Sequence, residues 1–291
     1  MTEGRGRVSE DDRAARAEGE NQSFDASTVD GFGFEWSTYD QSDRDEGSLR
    51  RSFARYFTQF PWDELPSGAT GIDIGCGTGR WARLAAEHDV RMLALDASPD
   101  ALQVAQRHAP ACRFLRGSAV ELPLQDQRLD FAFSLGVLHH LPDTAGAVAE
   151  IHRVLKPGAP FLVYLYYAFD NRPAWFRLLW RVSDAVRRGI ARSPHRLRLA
   201  LTRAIAAGVY LPLARLARFA SRRGRDVASF PLSAYRDQPF YVMQTDALDR
   251  FGTRLEKRYT RQEITDLLTA SGFSDVRFSD DWPYWVAIAR A

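Results

Sequence analysis

The segment Asp73-Ile74-Gly75-Cys76-Gly77-Thr78-Gly79 constrains this chain more than any other, because three closely spaced glycines join a β-type run to a helix. The β-type run is Thr70 to Ile74, and Arg80 to Glu87 has helical character. Glycines at such a junction let the backbone turn sharply and let a ligand lie against the main chain with no Cβ between them. A second β-type run, Met92 to Leu95, ends on Asp96, seventeen residues beyond Gly79. An acid at the tip of the second strand can accept hydrogen bonds from both hydroxyls of a ribose.

The alternation continues. Ser98 is the N-cap of a helix to His108, with Pro99 at its first position. Arg113–Leu115, Leu129–Leu135 and Phe161–Tyr167 read as third, fourth and fifth strands, and Thr144–Leu155 as a helix stopped by Pro157-Gly158. This pattern implies a parallel sheet covered on both faces. Ahead of it, Phe53, Tyr56, Phe57 and Phe60 recur at helical spacing within Ser48 to Phe60. Near the end, Thr260 and Glu263 form a capping box ahead of Ile264, Leu267 and Leu268, and Gly272 ends that helix. Val276–Phe278 and Tyr284–Ala289 are the closing strands.

Two kinds of ligand use a glycine turn followed by an acid. Dinucleotides pair with GxGxxG. Here the spacing is GxGxG, and Asp73 stands two residues before the first glycine. S-adenosylmethionine has no pyrophosphate but carries an ammonium, which Asp73 could hold directly or through water. The loop alone leaves both ligands open.

Further segments decide between them. Asp73–Gly79 resembles motif I of the class I S-adenosylmethionine-dependent methyltransferases. Gly117-Ser118-Ala119-Val120-Glu121-Leu122-Pro123-Leu124 is similar to their adenine-binding loop after strand three. Leu129 to Leu141 is similar to their fourth strand and its loop, and Leu155-Lys156-Pro157-Gly158 to the turn into strand five. The resemblance is strong over Thr70–Tyr167 and weak over the C-terminal strand pair. It implies an α/β fold with a Rossmann-like sheet, mostly parallel with an antiparallel last strand, and a helical insert before the last helix and strand pair. It also implies S-adenosyl-L-methionine as cofactor and methyl transfer to a small-molecule acceptor. The cofactor-binding residues it implies are Asp73, Gly75, Gly77, Gly79, Asp96, Ala97, Ser118, Ala119 and Leu135. The family has an acid where this chain has Ser118, whose hydroxyl accepts a hydrogen bond without charge assistance. The loop after strand four faces the methyl group in this architecture. His140 is therefore the first candidate base, His139 the second, and Tyr167 or Tyr235 the third, since imidazole titrates near neutral pH. No carboxylate cluster follows strand five, so no metal is expected.

The expected organisation is a disordered tail over 1–30, a cofactor domain over 31–169 and 247–291, and a helical insert over 170–246. The tail is poor in large apolar residues. The aromatic block Phe32 to Tyr39 is expected to close over the cofactor or acceptor. In the insert, Pro173–Arg192 and Leu197–Arg223 read as helices, with Pro212 kinking or breaking the second. Between Arg172 and Arg225, Asp184 is the only acid. Three readings of the insert stand: a cap packed on the sheet domain, a lid over an apolar or anionic acceptor, or peripheral attachment to an anionic membrane. Trp175 and Tyr235 are expected to wall the acceptor pocket. Aromatics past the insert's two long helical segments and on the last strand (Phe230, Phe240, Tyr241, Trp282, Tyr284, Trp285), and Tyr164, Tyr166 and Tyr167 at the end of strand five, are further candidates.

A formal net charge of +2 gives no general attraction to nucleic acid. Cys76 and Cys112 lack partner histidines, so neither a zinc site nor a disulfide framework is expected, and a reducing cytoplasm fits. No apolar run is expected to reach the ~20 residues that span a bilayer, and the first residues lack the apolar core of a secretory signal. Two other functions remain open: non-methyl chemistry on the same cofactor, such as aminocarboxypropyl transfer or ring closure, and a non-catalytic scaffold that binds through the basic insert. The acceptor, the methylated atom and the oligomeric state are not legible.

Overall fold

A computed structural model describes residues 45–227, 230–253, 255–280 and 285–291. The tail over 1–30, the block Phe32 to Tyr39, Trp282 and Tyr284 lie outside the described residues. A seven-stranded sheet runs in the order β3-β2-β1-β4-β5-β7-β6. Its strands are β1 (Thr70–Ile74), β2 (Arg91–Asp96), β3 (Arg113–Arg116), β4 (Phe131–Leu135), β5 (Pro160–Tyr164), β6 (Ser274–Phe278) and β7 (Val286–Arg290). The first five pair in parallel, whereas β7 runs antiparallel to both β5 and β6. This is the mostly parallel sheet with an antiparallel last strand that the sequence implies.

Side chains alternate across each strand, so one set of residues feeds two cores. On one face Ile72, Ala132, Phe161, Val163 and Ala287 pack beneath α4 (Thr144–Val154) and α9 (Arg261–Ala270). On the other, Phe131, Phe133, Leu162 and Ile288 pack beneath α1 (Glu46–Tyr56), α2 (Arg80–Ala85) and α3 (Pro99–His108). The predicted caps form. Ser98 Oγ accepts from Ala101 N at 3.3 Å, and Thr260 and Glu263 exchange side-chain to backbone bonds at 2.7 and 3.2 Å.

The insert comprises α5 (Ala174–Ala191), α6 (His195–Ile205), α7 (Leu211–Arg222) and α8 (Phe240–Gly252). It has a small core of its own, built on Ile190, Ala206, Tyr210, Met243 and Phe251. Pro212 does not break the second segment. A π-helical turn at Ala206–Tyr210 absorbs the missing hydrogen bond, and the helical run continues from His195 to Arg222. That 28-residue run is long and apolar enough, by length and composition, to cross a membrane. The expectation that no segment would reach this is corrected: an 18-residue stretch of the run carries no more than two charged side chains. The expected boundary at 246–247 falls inside α8, because its buried face, Met243, Ala247 and Phe251, belongs to the insert core on both sides of that point.

Candidate functional site

The carboxyl ends of β1, β2, β4 and β5 open into one cavity of about 1090 Å³, roofed by the insert. Gly75, Gly77, Asp96, Ala97, Ser118, Ala119 and Leu135 are all on its wall. Gly75 has φ +75°, and a Cβ there would meet Val137 Cγ1 at 2.4 Å, so the main chain itself forms the surface. Gly79 plays a different part. It turns into α2 at φ +75°, and a Cβ would press on Ala105 at 3.0 Å, so it lets α2 pack against α3 and is not on the wall.

Asp96 holds the loop in shape. Its Oδ2 accepts from Gly77 N and its Oδ1 from Ser98 N, both at 2.9 Å. Each oxygen keeps a further lone pair for a ribose hydroxyl. Burial raises the Asp96 pKa, while the backbone donors oppose the shift. Ser118 Oγ accepts from Val120 N at 3.3 Å.

Asp73 lies beneath the loop, 1% exposed and off the wall. Its Oδ2 has no hydrogen-bond partner, and neither does the nearby Thr78 hydroxyl. Burial, then the charge of Asp96, push the Asp73 carboxyl up to about 8. The orphaned Thr78 hydroxyl on the wall, the Asp73 carboxyl beneath the loop and the spare lone pairs of Asp96 fit the ammonium and ribose ends of S-adenosylmethionine. Thr78 has no place in the glycine pattern, and only its burial draws attention to it.

The raised Asp73 carboxyl has a measurable consequence. A group whose folded pKa exceeds its unfolded value stabilises fully below the unfolded value and loses that contribution as pH rises through the folded one. Here the window runs from 3.8 to about 8. We expect Asp73→Asn to flatten this decline, so that the melting-temperature difference between the variant and the unsubstituted protein, both without cofactor, moves in the variant's favour as pH rises. Equal slopes across the window would refute the ionisation assigned to Asp73.

The histidines are placed differently from expectation. His139 is fully buried and off the wall. Its Nδ1 accepts from Tyr166 N at 3.4 Å, and its ring packs on Tyr166 at 3.9 Å between centroids. Burial holds it neutral and away from any acceptor, which corrects its assignment as a base. His140 reaches the wall, but its Nδ1 lies 2.7 Å from Leu255 O, and burial lowers it to about 4. It does not titrate near neutral pH, so the reason for choosing it fails. The His140 ring and the His139 carbonyl hold the segment returning from the insert, where Lys257 N donates to His139 O at 3.0 Å.

A carboxylate overlooked in the sequence lines the cavity. Asp249, on α8, lines the cavity and accepts a hydrogen bond from the Tyr166 hydroxyl just past β5. Burial raises it to about 6, against the opposing Tyr166 hydrogen bond and the charges of Arg250 and Arg80. Its neighbour Asp246 takes a hydrogen bond from Tyr235, also on the wall. No motif marks Asp249; only its i, i+3 spacing from Asp246 on one helix face is visible beforehand. Tyr164, Tyr166, Tyr167 and Phe230 also line the cavity, whereas Phe240, Tyr241 and Trp285 do not. Trp175 is 52% exposed and stands outside it, a correction to its expected role in the pocket.

Residues 72–163 match the methyltransferase domain family. The chain is 38% identical over 91 residues to malonyl-[acyl-carrier protein] O-methyltransferase of Serratia marcescens, covering 31% of this chain and 36% of that protein. It is 34% identical over 128 residues to an uncharacterised methyltransferase of Mycobacterium tuberculosis, covering 42% and 52%. It is 30% identical over 142 residues to 2-phytyl-1,4-naphtoquinone methyltransferase of Thermosynechococcus vestitus, covering 45% and 63%. The chain thus spans between about a third and two thirds of the length of these relatives. One solved structure, from the complex of the Haloferax volcanii Trm112 methyltransferase activator with a methyltransferase, superposes with a TM-score of 0.50 at 16% identity, covering 88% of this chain and 97% of that one. At that identity it speaks to the fold alone. Over residues 72–163 the chain is thus similar to a methyltransferase domain, set within a mixed seven-stranded sheet whose fold the Haloferax structure shares.

Proposed function

We propose that this protein transfers the methyl group of S-adenosylmethionine to a small acceptor with an aromatic or partly apolar body and a hydroxyl that must lose its proton. The observation that carries this reading is the shared cavity. The glycine loop, Asp96 and Ser118 form one end, and Tyr166, Tyr235 and Asp249 another part of its wall. At about 1090 Å³ it is at or above the usual size of a single small-molecule site, room for a cofactor and an acceptor together.

Bound S-adenosylmethionine supplies a methyl group that is electrophilic without a metal. The chain's part is to position and desolvate. Asp96 and the main chain at Gly75 and Gly77 would hold the ribose end and Ser118 and Ala119 the adenine, while Asp73, off the wall, would reach the ammonium only through water. The tyrosines exclude water and stack the acceptor. Asp249 takes the acceptor's proton, directly or through Tyr166, and its raised pKa suits that role near neutral pH.

The test is product analysis. Incubation with labelled S-adenosylmethionine and a panel of phenolic and lipophilic alcohols is expected to yield S-adenosylhomocysteine and one methylated ether. Methylthioadenosine in its place would mean that the aminocarboxypropyl arm is transferred or cyclised. Cofactor binding without any product across the panel would favour the scaffold reading.

A further inference from the structure

Among the described residues, the exposed large apolar side chains all lie on the insert. On α5 they are Trp175, Leu178, Leu179, Val182 and Val186, and along the α6–α7 run they are Leu197, Leu201, Val209, Leu216 and Phe219, each 37–63% exposed. Their spacing is three, four and seven residues, with wider multiples of the helical turn, so each set forms one outward stripe. The opposite faces are already occupied. Asp184, Arg187 and Ile190 of α5 point inward, as do Arg198, Thr202, Ala206, Tyr210 and Ala214 of the longer run.

Charge identifies what covers the stripes. Residues 172–225 carry fourteen arginines and one acid, Asp184, which is buried against Arg187. On α5 the exposed Arg177, Arg181, Arg188 and Arg192 fall along one flank of the stripe at helical spacing. Arg196, Arg203, Arg215 and Arg222 are exposed on the longer run. A second copy docked on this face would set arginines against arginines with no exposed acid of the helices to answer them. A transmembrane arrangement would strip Thr202, Ala206, Tyr210 and Ala214 from the insert core and expose Arg198, which donates to Ala191 O and Ser193 O. An anionic lipid surface satisfies both features at once. The apolar stripes enter the acyl boundary while the arginine flanks stay among the headgroups.

We propose that α5 and the α6–α7 run form a peripheral docking face for anionic membranes. The face adjoins the cavity, since Phe176 and Arg172 line the wall one and three residues from Trp175. Docking therefore sets the cavity beside the bilayer. If the cavity is the acceptor site proposed above, a lipophilic acceptor reaches it from the lipid phase.

Sedimentation with vesicles tests the face without any turnover. The full chain is expected to bind vesicles of phosphatidylcholine mixed with phosphatidylglycerol at least about tenfold more tightly than pure phosphatidylcholine, and to lose most of that binding in ~0.5 M salt. Leu178→Glu with Val182→Glu and Leu216→Glu is expected to weaken binding by about tenfold or more, with the circular dichroism spectrum and S-adenosylmethionine affinity unchanged. Arg177→Gln, Arg181→Gln, Arg196→Gln and Arg222→Gln together, which leave the apolar stripes intact, are expected to remove the preference for anionic lipid. No binding to either vesicle, or equal binding to both, would overturn the proposal. So would a dimer seen by light scattering that the same apolar substitutions dissolve while vesicles go unbound. A protein that binds vesicles as described but not S-adenosylmethionine would sink the methyl-transfer reading and leave the docking face standing.

Discussion

Asp96→Ala is expected to weaken S-adenosylmethionine binding by about a hundredfold or more in calorimetry, with the chain still folded. Two ribose hydroxyls would lose a charged acceptor, and hydrogen bonds to charged groups contribute roughly 1.5–3 kcal/mol each. At about 1.4 kcal/mol per tenfold change, their loss alone gives roughly two to four orders of magnitude. The structure adds a second contribution. The same carboxylate anchors Gly77 N and Ser98 N, so alanine also frees the loop that forms the cofactor surface. Asp96→Asn keeps one acceptor but sets its amide NH2 against the other of the two backbone N–H groups, so a smaller loss of affinity, about tenfold, with a lowered melting temperature is expected. An unchanged dissociation constant for Asp96→Ala would remove Asp96 from the site.

Asp249→Asn is expected to lower kcat on an oxygen acceptor by about 10²–10⁴-fold, the usual reach of general-base catalysis, with S-adenosylmethionine affinity changed by no more than about twofold. The pH profile distinguishes this from a packing defect. Burial raises the Asp249 carboxyl to about 6, so the proton-accepting form accumulates as pH rises through that value. Activity should climb over the same range and level off above it, and Asp249→Asn should flatten the climb. The groups acting on Asp249 are Tyr166 beyond β5, Glu256 on the returning segment, Arg250 beside it on α8, and Arg80 at the glycine loop. Tyr210 and Tyr235, whose own shifts include the Asp249 charge, lie on the insert side. Tyr166→Phe is the companion variant. It removes the hydroxyl that bonds Asp249, and a smaller fall in kcat with a steeper loss of stability is expected, since the carboxylate is left buried without that donor. If both variants turned over normally, the proton would leave by another route. If Asp249→Asn abolished cofactor binding, the carboxylate would belong to the cofactor end.

The cofactor half was legible in the sequence because its determinants are local. Gly75 and Gly77 stand at a strand–helix junction, and Asp96 ends the next strand; parallel β1–β2 pairing then brings Ile74 opposite Leu95. The alternation of strands and helices and the caps at Ser98 and Thr260 follow from the same short-range rules, whereas the antiparallel closing strand was implied only by the family resemblance. Tertiary structure decided the rest, through contacts far apart in the chain. The carbonyl that occupies His140 belongs to Leu255, 115 residues away. The carboxylate that meets Tyr166 lies 83 residues beyond it. Burial, a property of the assembled fold, makes His140 a poor base and Asp249 a suitable one, and no local pattern encodes it. The insert divides along the same line. Periodicity in the sequence predicted amphipathic helices rich in arginine. Only their packing on α8 revealed which apolar faces were already covered and which, from Trp175 to Phe219, were left turned outward.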